Sequence, residues 1–87
     1  MKITILPLVP VTDSWAMFEI PDNCRESVSF QLESLGIMHW SLDGGVTSYK
    51  AVGTGETLQG NFSKTPIHFR IDSGTDNIQI RIQDTRI

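Results

Sequence analysis

Apolar and polar residues alternate along most of this chain, and the alternation is sharpest toward the C-terminus. In Ile67-His68-Phe69-Arg70-Ile71 and Ile78-Gln79-Ile80-Arg81-Ile82-Gln83 every second side chain is apolar. A period of two puts those side chains on one face of an extended segment, so both read as half-buried β-strands. Between them Asp72-Ser73-Gly74-Thr75-Asp76-Asn77 gathers residues that turns favour, which predicts an antiparallel hairpin with a longer loop. Val28-Ser29-Phe30-Gln31-Leu32-Glu33 alternates in the same way after the turn-like Pro21-Asp22-Asn23. Ile37 to Leu42 can turn Met38, Trp40 and Leu42 inward. Asp43-Gly44-Gly45 then permits the positive φ angles of a tight hairpin turn, and Val46 to Val52 returns as the next strand. Trp15 to Ile20 places Ala16, Phe18 and Ile20 on one face and Trp15, Met17 and Glu19 on the other. Ile3 to Leu6 forms a short opening strand that stops at Pro7, and Thr57-Leu58-Gln59 another before Gly60.

No window carries apolar residues at helical spacing for three turns; Arg25 to Leu35 comes closest and alternates too cleanly for a helix. The pattern predicts an all-β fold, a small single-domain antiparallel β-sandwich or jelly-roll-like barrel of about seven to eight short strands. Pro7 and Pro10 lack an amide donor, so residues 1–11 read as an N-terminal arm or edge strand and residues 12–87 as the sandwich domain.

Charge narrows the partners. Ten acidic residues against seven Lys and Arg give a net charge of −3, with no basic run, so no nucleic-acid partner is expected. At 87 residues a single core buries only about 60 to 65% of the unfolded surface, so a homo-oligomer or docking on a larger surface would add burial. Cys24 is the sole cysteine, which excludes an intrachain disulfide and predicts a buried or quiet thiol in a chain made in a reducing cytoplasm. The N-terminal apolar run is broken by Thr4, Pro7, Pro10 and Thr12, and no stretch approaches the roughly 18 apolar residues of a membrane span; neither a signal peptide nor a membrane partner is expected.

Catalytic chemistry is thinly represented. His39 and His68 fall on the outer faces of their strands, with no Ser, Cys or Thr spaced as a nucleophile beside them, so the chain is not expected to be an enzyme. No paired Cys or His motif implies a metal, and the Asp-rich turns lack the alternating ligands and terminal Glu of an EF-hand. Gly53-Thr54-Gly55-Glu56 has no following Lys or helix and reads as a β-turn, and no cofactor is expected. The aromatic residues remain: Trp40 belongs in the core, whereas Trp15 and Tyr49 are candidates for contact with a partner. With the loop residues Asp43 and Asn77 they would serve an alternative reading, a carbohydrate- or receptor-binding module.

Trp40-Ser41-Leu42-Asp43-Gly44-Gly45-Val46-Thr47-Ser48-Tyr49-Lys50, then Gly55-Glu56-Thr57-Leu58-Gln59-Gly60 and the C-terminal Ile67-His68-Phe69-Arg70-Ile71 segment carry a resemblance. Over about residues 38–83 the chain resembles the small accessory virion proteins of tailed bacteriophages, compact β-sandwiches that sit on capsids or in the head and tail machinery. The resemblance implies architecture and no catalytic residue. It implies a structural virion protein, synthesised in the host cytoplasm, that decorates or stabilises a repeating lattice of the major capsid protein or another virion protein. The residues expected to meet that partner are Ile3, Ile5, Leu6, Pro7, Val9 and Val11 of the arm, with Trp15 and Tyr49.

Overall fold

The computed structural model describes residues 2–84. Their nine strands are β1 (Lys2–Ile5), β2 (Val9–Val11), β3 (Ala16–Glu19), β4 (Ser27–Leu32), β5 (Met38–Ser41), β6 (Tyr49–Ala51), β7 (Glu56–Gln59), β8 (Pro66–Arg70) and β9 (Asp76–Asp84), with no helix among the described residues. They form two antiparallel sheets. One runs β1-β9-β4-β7 with β2 also paired to β9, and the other runs β3-β8-β5-β6. The fold is a small all-β sandwich.

The alternation decides what lies between the sheets. Ile78, Ile80 and Ile82 of β9 and Val28, Phe30 and Leu32 of β4 are buried, facing Met38 and Trp40 of β5 and Ile67 and Phe69 of β8. Phe30 stands edge-on to two rings of the opposite sheet, with centroids 5.4 Å from Trp40 and 5.2 Å from Phe69. Val11, Ile20, Cys24, Ala51 and Ile71 close the ends of this core.

Three local expectations are corrected. The strands expected to form the C-terminal hairpin lie in different sheets: β8 pairs with β3 and β5, and β9 with β1, β2 and β4. Alternation specifies a strand's buried face but not its neighbour. Residues 71–75 therefore carry the chain across the end of the sandwich, anchored by the Ile71 N–H to the Thr12 carbonyl at 2.9 Å. The turn after β5 is also longer than a tight hairpin, since β5 ends at Ser41 and β6 begins at Tyr49. Leu42 consequently leaves the strand alternation and is exposed. Finally, Pro7 and Leu8 interrupt the first strand only briefly. The Leu6 N–H reaches the Ile80 carbonyl at 2.9 Å, and β2 then resumes pairing with Val9 opposite Ile78, giving the ninth strand.

Two substitutions test this packing. Phe30→Ala removes the ring shared by both sheets and should cost about 3–5 kcal/mol, a large share of a small domain's stability, measurable by chemical denaturation. Gly55 has φ +86°, and a Cβ there would overlap the Phe30 carbonyl oxygen. Gly55→Ala should therefore lower stability by at least about 2 kcal/mol, read as a drop of roughly 4–8 °C in Tm per kcal/mol.

Candidate functional site

The N-terminal residues lie along one edge of the five-stranded sheet. β1 pairs through Lys2 opposite Asp84 and Ile5 opposite Arg81, and β2 continues along the same side of β9. The register sets Thr4 opposite Ile82, toward the core, so Ile3 and Ile5 face outward. They are 45% and 61% exposed, and Leu8, between the two strands, is 46% exposed. Because the Leu6 N–H points at β9, strand alternation turns the amides of Ile3 and Ile5 away from it, onto an open edge. Of the other arm residues, Pro7 is exposed, Leu6 and Val9 pack against the core, and Val11 is buried within it.

The outer face of this sheet holds a shallow depression of about 470 Å³. Its floor is an unbroken cross-strand row: Ile5 lies opposite Arg81, Arg81 opposite Ser29, and Ser29 opposite Thr57. Gln31 and Gln79 form the adjoining row, with Thr54 in the nearby turn. Ser29 and Thr57 share a hydroxyl hydrogen bond of 2.9 Å, and Gln31 Nε2 donates to Gln79 Oε1 at 3.5 Å. Among the described residues no carboxylate lines the depression and none pairs with the exposed Arg81 guanidinium.

The opposite sheet places the two candidate aromatics apart. Trp15 precedes β3 and Tyr49 begins β6, the two margins of that sheet. The Arg70 guanidinium lies 5.3 Å above the Trp15 ring, and Gly45 packs so closely on its indole edge that a Cβ would fall 2.5 Å from Nε1. Tyr49 is 50% exposed but stacks one face on Trp40 at 4.5 Å. Asp43 lies within the β5–β6 loop, the loop whose Gly45 packs on Trp15, and Asn77 lies on β9 with its amide 3.4 Å from Glu33 Oε1. Asn77 therefore lies on the other sheet from Trp15 and Tyr49, which themselves belong to opposite margins of theirs.

The loop that holds Gly45 is organised by one hydroxyl. Ser41 Oγ accepts the N–H of Asp43 at 3.2 Å and of Gly45 at 2.9 Å, and donates to Asp43 Oδ1 at 2.6 Å. Asp43 Oδ1 also accepts the Thr47 N–H at 2.8 Å. Ser41 is thus fully buried and committed to the loop, although His68 stands opposite it in the register. His39 Nε2 lies 2.9 Å from Asp72 Oδ1, which is also 3.7 Å from Arg70 Nη1. Cys24 donates its thiol to the Ser27 carbonyl at 3.3 Å, and burial raises its pKa, so it stays protonated near neutrality. Among the described residues no group of three or more His, Cys, Asp or Glu could hold a metal ion.

Sequence reasoning passed over the outer-face residues Ser29, Gln31, Gln79 and Arg81. Their signal was present as the polar members of the clearest alternating strands, which contain amide, hydroxyl and guanidinium groups and no acid between Val28 and Leu32 or between Ile78 and Gln83.

Two carboxyls are held below the usual carboxylate range. For Asp43 the chief cause is the Ser41 hydroxyl, followed by the Thr47 N–H; for Asp76 it is the Ser34 hydroxyl, followed by the Asn77 N–H. A depressed folded pKa contributes stability that is present above the unfolded value and lost as pH falls through the folded one. Thermal melts should therefore show Tm falling as pH drops below about 4, and Asp43→Asn should flatten that acid limb.

Compared with known proteins, the chain matches no family model, no curated sequence and no solved structure at a significant level.

Proposed function

We propose that this chain is a non-enzymatic structural protein of a tailed-phage virion that docks on a repeating lattice of the major capsid protein or another virion protein through its β1–β2 edge. The observation that supports this reading is the register of β1. It spends its inward position on Thr4 and leaves Ile3 and Ile5, with Leu8 beside them, outside the core on an unpaired edge. Exposed aliphatic side chains next to open main-chain groups suit an interface in which a partner strand or ridge covers both at once. Covering one such side chain is worth about 1.5–3 kcal/mol when burial is complete, so one copy binds modestly and a lattice of sites raises occupancy by multivalency. Pro7 and Pro10 remove donors from the same edge, which limits uncontrolled strand addition. A homo-oligomer would use the same edge.

Deleting residues 1–11 is a poor test, because it would also strip β9 of two partners and remove the buried Val11 from the core. The double substitution Ile3→Asp and Ile5→Asp charges the edge and leaves the core intact. With a lattice assembled from purified tailed-phage major capsid protein, the wild type should co-sediment to saturation and the double variant should bind at least about tenfold more weakly at unchanged Tm. Full occupancy by the variant would overturn the edge-docking reading.

A further inference from the structure

The outer face of the five-stranded sheet has a composition that its structural role does not require. We infer that it is a binding site for a carboxylate-bearing saccharide, in which Arg81 pairs with the carboxylate and Gln31 and Gln79 read the neighbouring hydroxyls. The site is separate from the docking edge apart from Ile5, which borders both.

Charge is the first argument. In a chain of net charge −3, this depression presents a guanidinium with no acid lining it and no ion-pair partner among the described residues. A guanidinium is a planar fork of donors that matches a carboxylate through two parallel hydrogen bonds. One such fork balances a singly charged carboxylate. A nucleic-acid or phosphate ligand would call for several cations, and among the described residues none other than Arg81 lines the site.

Hydrogen-bonding capacity is the second. Gln31 spends one N–H on Gln79 Oε1, which leaves Gln31 Oε1 as an acceptor and Gln79 Nε2 as a donor, side by side on paired strands. Ser29 and Thr57 satisfy one another with a single shared proton and keep further capacity on both oxygens. Adjacent groups that donate and accept complement vicinal hydroxyls, each of which also does both. An extended peptide fits poorly here, because β4 and β9 are paired on both sides and offer it no free main-chain groups. Ile5, at the end of the row, supplies an apolar wall for the C–H face of a pyranose ring.

Volume and rigidity complete the case. At about 470 Å³ the depression falls within the range of small-molecule sites. Its side chains alternate with the buried Phe30 and Ile80, so the core fixes their backbone in place. The face is open to water, so affinity should be weak, with Kd on the order of 0.1–1 mM.

The test is a titration of the isotopically labelled protein, followed by two-dimensional amide NMR, with a galacturonic acid trisaccharide, the neutral galactose trisaccharide and acetate in separate arms. The acidic trisaccharide should shift the side-chain amides of Gln31 and Gln79 and the Arg81 backbone signal saturably. The neutral trisaccharide and acetate should each bind at least about tenfold more weakly. Arg81→Gln should weaken the acidic trisaccharide by at least about tenfold, and Gln79→Ala should weaken it too, both at unchanged Tm because both side chains point away from the core. The inference is overturned by the absence of saturable shifts at the highest soluble concentration, by shifts elsewhere on the surface, by equal binding of the neutral sugar or acetate, or by an unaltered Kd in Arg81→Gln. Neither variant alters Ile3, Ile5 or Leu8, so a failure here leaves the docking edge standing, and saccharide binding is read on protein in which Ile5 is intact, so a failure of docking leaves this site standing.

Discussion

The Phe30 ring, lodged edge-on against Trp40 and Phe69, is the contact that sets the two sheets face to face. Trp40 and Phe69 are themselves opposite one another in the β5–β8 register, so a single side chain of β4 bridges the two central strands of the other sheet. Edge-to-face pairs of this kind contribute about 0.5–1.5 kcal/mol each beyond the area they bury. Once Phe30 points inward, strand geometry requires Ser29 and Gln31 to point outward. The floor of the candidate site is therefore a consequence of core packing, seen from the other side of the same strand.

β9 extends that coupling across the sheet. Its nine residues carry Ile78, Ile80 and Ile82 into the core and Gln79 and Arg81 to the outer face, while β1 and β2 share its far side. Slipping the register by one residue would bury an amide and a guanidinium without partners, a cost of several kcal/mol that holds the strand in place. The exposed β1–β2 edge and the polar face are thus mounted on one strand. They differ in what they present: aliphatic side chains beside open main chain at the edge, and amide, hydroxyl and guanidinium groups over paired main chain on the face. That difference in chemistry is why two kinds of ligand are assigned to neighbouring surfaces of one sheet.

The opposite sheet uses its exposed-looking chemistry internally. Trp15 lies beneath the Arg70 guanidinium and against the backbone of Gly45, and so fastens the β5–β6 loop to the sheet surface. Ser41 holds that loop from within by taking two of its N–H groups. The motif that carried the resemblance, Ser41-Leu42-Asp43-Gly44-Gly45, is in this fold a side-chain-capped loop with positive φ at both glycines. Such a loop needs no ligand, since a buried hydroxyl that satisfies neighbouring N–H groups is a general way to turn the chain.

The sequence by itself determined the all-β class, the inward residues of the long strands and the core position of Trp40. All of these follow from local alternation and hydrophobicity, which act over a few residues. It also contained the acid-free polar rows of β4 and β9, although nothing local marks them as neighbours. Only the tertiary structure decided that β8 and β9 belong to opposite sheets, that Ile3 and Ile5 face outward while Val11 is buried, and that Gln31 meets Gln79 across 48 residues of chain. A period of two tells a strand which face to bury. The choice of neighbour is made by non-local pairing and by the fit of rings such as Phe30 between the sheets, and that choice creates both the edge and the face on which function is proposed.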